Sequence, residues 1–245
     1  METLIVQDLT FRYTQSSPIV LNGISFKVSG GEILAVTGLS GCGKSTLCQC
    51  LSGILPRGQD GIMSGEILVK GRSIREFQLA NLAFEVGMVF QNPDIQLFST
   101  TVEDELAFAP ENMCLEPELI RERVDRTASE LELTSLLADN PNRLSGGEKH
   151  LAALASVLTL DPAVLILDEV MSQLDRAGKE RVTAALRKLR DRGKAVVMVE
   201  HELEGIAVSD RVIVLDKGKM IRIDSADAIL SDRDFLLENR LLFDE

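Results

Sequence analysis

Ile33-Leu-Ala-Val-Thr37 is an apolar run that passes without interruption into Gly38-Leu-Ser-Gly-Cys-Gly-Lys44-Ser45, and a helical pattern follows from Lys44 to Gly53. The run reads as a central strand covered on both faces. The octet after it satisfies GxxxxGK[ST] in the strand-to-helix context that gives the pattern its meaning. Glycines let backbone N–H groups close around phosphate oxygens, and the start of the helix adds a favourable dipole. Gly38 to Thr46, with Ser40, Gly41, Cys42 and Gly43 between, is therefore expected to cradle the phosphates of ATP. In that loop Lys44 would reach the terminal phosphates, and Ser45 would offer a hydroxyl to Mg²⁺.

Outward from this stretch, short apolar runs alternate with helical patterns. Gly87-Met-Val-Phe90, Val164-Leu-Ile-Leu167, Ala195-Val-Val-Met-Val199 and Arg211-Val-Ile-Val-Leu215 read as further strands. Before Gly30, Thr3 to Tyr13 and Ile24 to Val28 are separated by polar turn residues and suggest antiparallel strands. From Thr101 to about Asn142 no strand is evident. Val102 to Phe108 and Pro117 to Leu131 have helical spacing, the second with Pro117 in its first turn. Ala226 to Leu230 and Asp232 to Leu242 also read as helices. The expected fold is α/β: a P-loop NTPase core with a mostly parallel sheet, an antiparallel β subdomain near the N-terminus, and an inserted helical subdomain. One domain would span 1–245, its ATP-binding core over 1–100 and 160–245 and its helical part over about 101–159.

Val164-Leu-Ile-Leu-Asp168-Glu169 places two acids at the end of a buried strand, where open α/β sheets put their ligand sites. Beside a phosphate loop, Asp168 is expected to hold the metal, directly or through water, and Glu169 to orient and deprotonate the attacking water. Leu144-Ser-Gly-Gly-Glu148 precedes a helical run, Lys149 to Leu158. Ser145, Gly146 and Gly147 thus open a helix with free N–H groups that can cap a phosphate. The same letters make a capping box of Ser145 and Glu148.

The chain has 245 residues, 45% hydrophobic and 26% charged, a globular balance. A formal charge of -12 argues against nucleic acid, which needs a surplus of Lys and Arg, and against direct adsorption to anionic lipid. No apolar run is long enough to span a membrane, and Met1-Glu-Thr-Leu-Ile-Val lacks the flank and core of a signal peptide, so a cytoplasmic protein is expected. Cys42, Cys48, Cys50 and Cys114 show no metal or disulfide spacing and are expected to be small core residues.

These motifs, in this order, resemble the ATP-binding-cassette (ABC) transporter ATPases from about Leu4 to Leu230. The resemblance implies that Leu144 to Glu148 is the signature motif, presented across a head-to-tail dimer to ATP held by the partner's phosphate loop. It makes Gln91 the glutamine that senses magnesium and couples to a transmembrane partner, Leu174-Asp175 the D-loop, His201 the switch histidine, and Tyr13 the aromatic stacked on adenine. His150 receives no role. Phe90-Gln-Asn-Pro-Asp-Ile-Gln-Leu-Phe98, followed by Thr101 to Asn112, is similar to the ATPases of energy-coupling-factor importers, which take up cobalt, nickel and vitamins. The implied partners are a second ABC ATPase subunit, the same chain or a homologue, a transmembrane coupling subunit and a substrate-binding membrane subunit. They would hold this chain peripherally on the inner face of the membrane without its insertion. Another importer or exporter class, or a soluble ABC ATPase, is the alternative. The chain departs from the common pattern at Lys149-His150-Leu151, where Lys-Gln-Arg is usual, at Val170-Met-Ser-Gln-Leu-Asp175, which lacks Pro-Thr, and at Glu200, where Thr is usual.

Overall fold

The computed structural model describes residues 2–58, 60–172 and 174–242; Gln173, within the turn 170–175, lies outside them. The chain opens with β1 (Glu2–Arg12), β2 (Leu21–Ser29) and β3 (Ile33–Gly38), then α1 (Lys44–Leu51). Next come β4 (Ile62–Val69), β5 (Arg72–Ser73), α2 (Leu79–Leu82) and β6 (Val86–Val89). Three longer helices follow: α3 (Val102–Asn112), α4 (Pro117–Glu130) and α5 (Gly146–Leu158). The rear portion is β7 (Val164–Asp168), α6 (Arg176–Asp191), β8 (Ala195–Val199), α7 (Leu203–Ile206), β9 (Arg211–Asp216), β10 (Lys219–Ser225), α8 (Ala226–Ser231) and α9 (Arg233–Glu238).

Six strands form the central sheet in the order β10-β9-β3-β8-β7-β6, with β9 through β6 parallel and β10 antiparallel at one edge. β3, β7 and β8 are buried along their whole length because both faces are covered, and alternate residues enter opposite cores. Ile33, Ala35, Leu165, Leu167, Val196 and Met198 pack on the side of α5 and α6. Leu34, Val36, Val164, Ile166, Val197 and Val199 pack against α1 and the second sheet. That sheet is antiparallel, ordered β2-β1-β4-β5. Together these confirm the expected fold class.

Three local expectations are corrected. The antiparallel sheet is completed by β4, after α1, which the sequence reading missed: Gly65 and Ser64 interrupt its alternation, and Gly65 sits at a bulge where a Cβ would press on the backbone of Gln7 and Asp8. The last helix is not Asp232 to Leu242; Asp232 caps α9, which stops at Glu238, after which Arg240 turns through positive φ. Cys114 is exposed rather than buried, because it lies in the turn after α3.

Candidate nucleotide-binding site

The phosphate loop hangs between β3 and α1. Gly38, with φ 147, closes the strand, and a Cβ there would collide with the carbonyl oxygen of Leu215 on neighbouring β9. The Cys42 carbonyl accepts a bond from Gly218 N (2.9 Å), so the loop is tied to the turn between β9 and β10. Lys44 is buried, and its ammonium donates to the carbonyls of Gly38 (2.8 Å) and Leu39 (3.1 Å), which places the charge inside the curve of the loop. Ser40 and Gly41 are exposed at the crest, while burial pushes the Cys42 thiol pKa up against the pull of the Lys44 ammonium. Tyr13, just past β1, bonds its hydroxyl to Thr46 Oγ1 (3.1 Å) and meets Phe11 edge-on at 5.1 Å, which fixes the ring beside the loop.

The carboxyl ends of β3, β8, β7 and β6 lie side by side, and each carries expected groups, β7 two of them. Asp168 ends β7 and is almost fully buried; burial raises its carboxyl above the usual range, opposed by the hydroxyl of Ser45, which donates to Oδ1 at 3.2 Å. Glu169 takes φ 53, an uncommon conformation for a residue with a side chain, and its N–H donates to Val199 O (3.1 Å). Gln91, after β6, donates Nε2 to Glu169 Oε2 (2.6 Å), and His201, after β8, pairs Nε2 with Glu169 Oε1. Two residues far apart in sequence, Gln91 and His201, thus converge on the Glu169 carboxylate.

Ser145 caps α5 and forms the capping box with Glu148: Ser145 N donates to Glu148 Oε2 (2.9 Å), and the hydroxyl of Ser145 donates to the same oxygen (2.6 Å). These bonds hold the Glu148 carboxyl below its usual range. Ser145 and Gly146 are exposed, and among the described residues no hydrogen bond joins Ser145, Gly146 or Gly147 to the phosphate loop of the same chain. Gly147 instead abuts Gly178 in the first turn of α6, so closely that a Cβ on Gly147 would lie 3.1 Å from Gly178 Cα. Asp175 of the expected D-loop caps that turn through Gly178 N (2.8 Å).

Two polar residues in this region carry contacts that sequence reasoning missed. His150 is buried on α5, with Nδ1 3.0 Å from Gly146 O and Nε2 3.3 Å from Gln91 O. Glu200, beside His201, is buried with one oxygen accepting from Met171 N (3.3 Å) and, among the described residues, the other without a partner. No pattern in the chain marks either one. Each acquires its contacts only through tertiary packing.

The sequence model of the ABC transporter family matches residues 21–172. An energy-coupling factor transporter ATP-binding protein, EcfA, from Methanosarcina acetivorans is 40% identical over 228 residues, 93% of this chain and 81% of that protein. A longer protein of Methanosarcina mazei is 41% identical over 218 residues, 88% of this chain but 38% of its own length, so the chain spans under half of some relatives it matches. Among solved structures, CbiO1 from Clostridium perfringens, part of the ABC transporter complex CbiONQ, superposes with a TM-score of 0.84 at 31% identity, covering 98% of this chain and 95% of its own. A nucleotide-free ATP-binding cassette at 22% identity and TM-score 0.82, covering 100% of both chains, shares the fold.

Proposed function

The chain belongs to the ABC transporter family, and from that premise we propose that it is the ATP-hydrolysing, energising subunit of an importer of energy-coupling-factor type. The observation that carries the reading is the convergence of Gln91, Glu169 and His201 at the ends of adjacent strands beside the phosphate loop. The residues fit Mg-ATP. Ser45 Oγ and Asp168 Oδ1, 3.2 Å apart, are the hard oxygen donors that magnesium takes, and Gln91 adds an amide oxygen from the neighbouring loop. Among the described residues no cluster of three His, Cys, Asp or Glu side chains would hold a metal unaided, so phosphate oxygens would complete the shell. Magnesium held by Ser45, Asp168 and Gln91 would neutralise charge on the phosphates of ATP.

The protein's own part is positioning and proton transfer. The loop from Gly38 to Thr46 aims backbone N–H groups at the phosphates, with Lys44 on the terminal ones. Tyr13 offers its ring to adenine. Glu169 orients water in line with the γ-phosphorus and accepts its proton, while Gln91 and His201 fix the carboxylate. The new P–O bond to water replaces the bond to ADP. Ser145, Gly146 and Gly147 would complete the site of a second ATPase subunit.

One domain over 1–245, with about 101–159 as its helical part, houses these groups. The face toward the membrane subunits would be the groove of about 230 Å³ lined by Met88, Phe98, Phe108, Val157 and Leu160. Phe98 and Phe108 stand edge-on at 4.6 Å with Ile95 exposed nearby, an apolar rim suited to a helix of a transmembrane coupling subunit. No helix of the described residues is long and apolar enough to cross a membrane, so attachment would be peripheral, through partners. The transported solute, a vitamin or a transition-metal ion, would be chosen by a substrate-binding membrane subunit. A composite site makes activity per subunit rise with protein concentration as dimers form. Constant specific activity across the range where dilution dissociates the protein would count against it.

A further inference from the structure

The segment that carries Gln91 is fastened to the helix that carries Ser145 to Gly147 at three places. Asp94 pairs with Lys149 (2.6 Å), the Gln91 carbonyl faces His150 Nε2 (3.3 Å), and Gln96 donates to Ala153 O (3.3 Å) while its own oxygen accepts from Phe90 N (3.2 Å). Residues 149, 150 and 153 lie on one side of the first two turns of α5. The middle link differs from the other two. Its donor is buried, with 2% of its surface exposed, and it grips the main chain of Gln91 itself rather than a flexible neighbour. Among the described residues His150 is the donor recorded for that carbonyl. The other face of Gln91 is committed too, since its side-chain amide holds Glu169.

We infer that His150 is a positioning residue for Gln91, joining the Glu169 carboxylate to the second turn of α5 through one N–H···O=C bond from a buried imidazole. Through it, a displacement of Ser145 to Gly147 is transmitted to the amide that orients Glu169, so signature and catalytic acid move together. Both ring nitrogens face backbone carbonyls, Nδ1 that of Gly146 one helical turn back (3.0 Å) and Nε2 that of Gln91 (3.3 Å), and the link to Gln91 is the one that needs the proton on Nε2. The inference rests on the reading of Gln91 as a residue of the ATP site.

Two measurements test it. The chain has 2 histidines, so ¹⁵N-histidine NMR of the intact protein separates His150 from His201 without substitution. Nε2 of His150 is expected to carry a proton that exchanges slowly with solvent; an unprotonated Nε2 cannot donate to Gln91 and would overturn the inference. The second is ATPase kinetics on His150→Met and His150→Gln, close in size but differing in whether they can donate. His150→Met is expected to bind Mg-free ATP within about twofold of wild type, to lose about tenfold in kcat, and to need several-fold more Mg²⁺ for half-maximal rate. His150→Gln should recover most of both. Equal impairment of the two variants, or wild-type kinetics in His150→Met, would also overturn it. Gln91→Ala separates the failures: if it behaves as wild type, the reading of Gln91 has failed, whereas an impaired Gln91→Ala beside an unimpaired His150→Met sinks the inference alone. Should His150→Met not fold, the tautomer measurement still decides.

Discussion

Glu200→Gln is expected to stabilise this protein in alkaline solution and to leave it nearly unchanged in acid. The Glu200 carboxyl lies beneath the turn after β7, one oxygen accepting from Met171 N and the other buried without a partner among the described residues, with Gly205 pressed against it. Burial raises its pKa from 4.5 to about 7, the bond from Met171 acts the other way, and the charges of Glu169 and Glu202 reinforce the rise. A raised carboxyl pKa means that the folded chain holds the proton more tightly than the unfolded one. The stability is therefore full below pH 4.5, falls as pH rises to about 7, and is level above. At roughly 1.4 kcal/mol per pH unit the loss is about 3.5 kcal/mol. Glutamine keeps the shape and the acceptor for Met171 without the charge. In a chain of this length 1 kcal/mol corresponds to roughly 2–4 °C in Tm. Thermal denaturation of both proteins from pH 5 to pH 9 should show curves that meet in acid and part by roughly 7–14 °C in alkali, the variant melting higher. A difference that does not vary with pH, or a variant less stable at pH 9, would refute the argument.

Two further outcomes bear on binding. Tyr13→Ala should weaken ATP and GTP alike by about tenfold, since stacking is worth about 1–3 kcal/mol for any base, whereas Tyr13→Phe keeps the ring and should change either by less than about threefold. Fluorescence titration measures both, and strong discrimination between the nucleotides would contradict a stacking role. Phe98→Asp should abolish co-purification with the membrane subunits while the isolated protein hydrolyses ATP at the wild-type rate. Retained co-purification would move the docking face elsewhere.

The parts legible in the sequence were those whose cause is local. β3, β7 and β8 are uninterrupted apolar runs because both faces are covered, and the phosphate loop announces itself through glycines at fixed offsets from Lys44. β10 was missed because it is a half-exposed edge strand, with Lys219, Arg222 and Asp224 breaking any run. The end of the last helix was overextended because Leu236, Leu237, Leu241 and Leu242 keep a helical rhythm, whereas the N–H groups of both Leu241 and Leu242 turn back to the Leu236 carbonyl. At the site, Asp168 and Glu169 could be read from the end of an apolar strand. The contacts of His150 and Glu200 could not. His150 meets Gln91 across 59 positions and Glu200 meets Met171 across 29, distances over which no spacing rule operates.

The most direct test of the account is steady-state ATP hydrolysis by wild type and Glu169→Gln, with and without Mg²⁺, alongside nucleotide binding. The account requires that wild type turn over ATP only with Mg²⁺, and that the variant bind ATP as tightly yet lose at least about a hundredfold in kcat. If the variant hydrolyses ATP at the wild-type rate, Glu169 is not the base and the convergence of Gln91 and His201 upon it has another purpose.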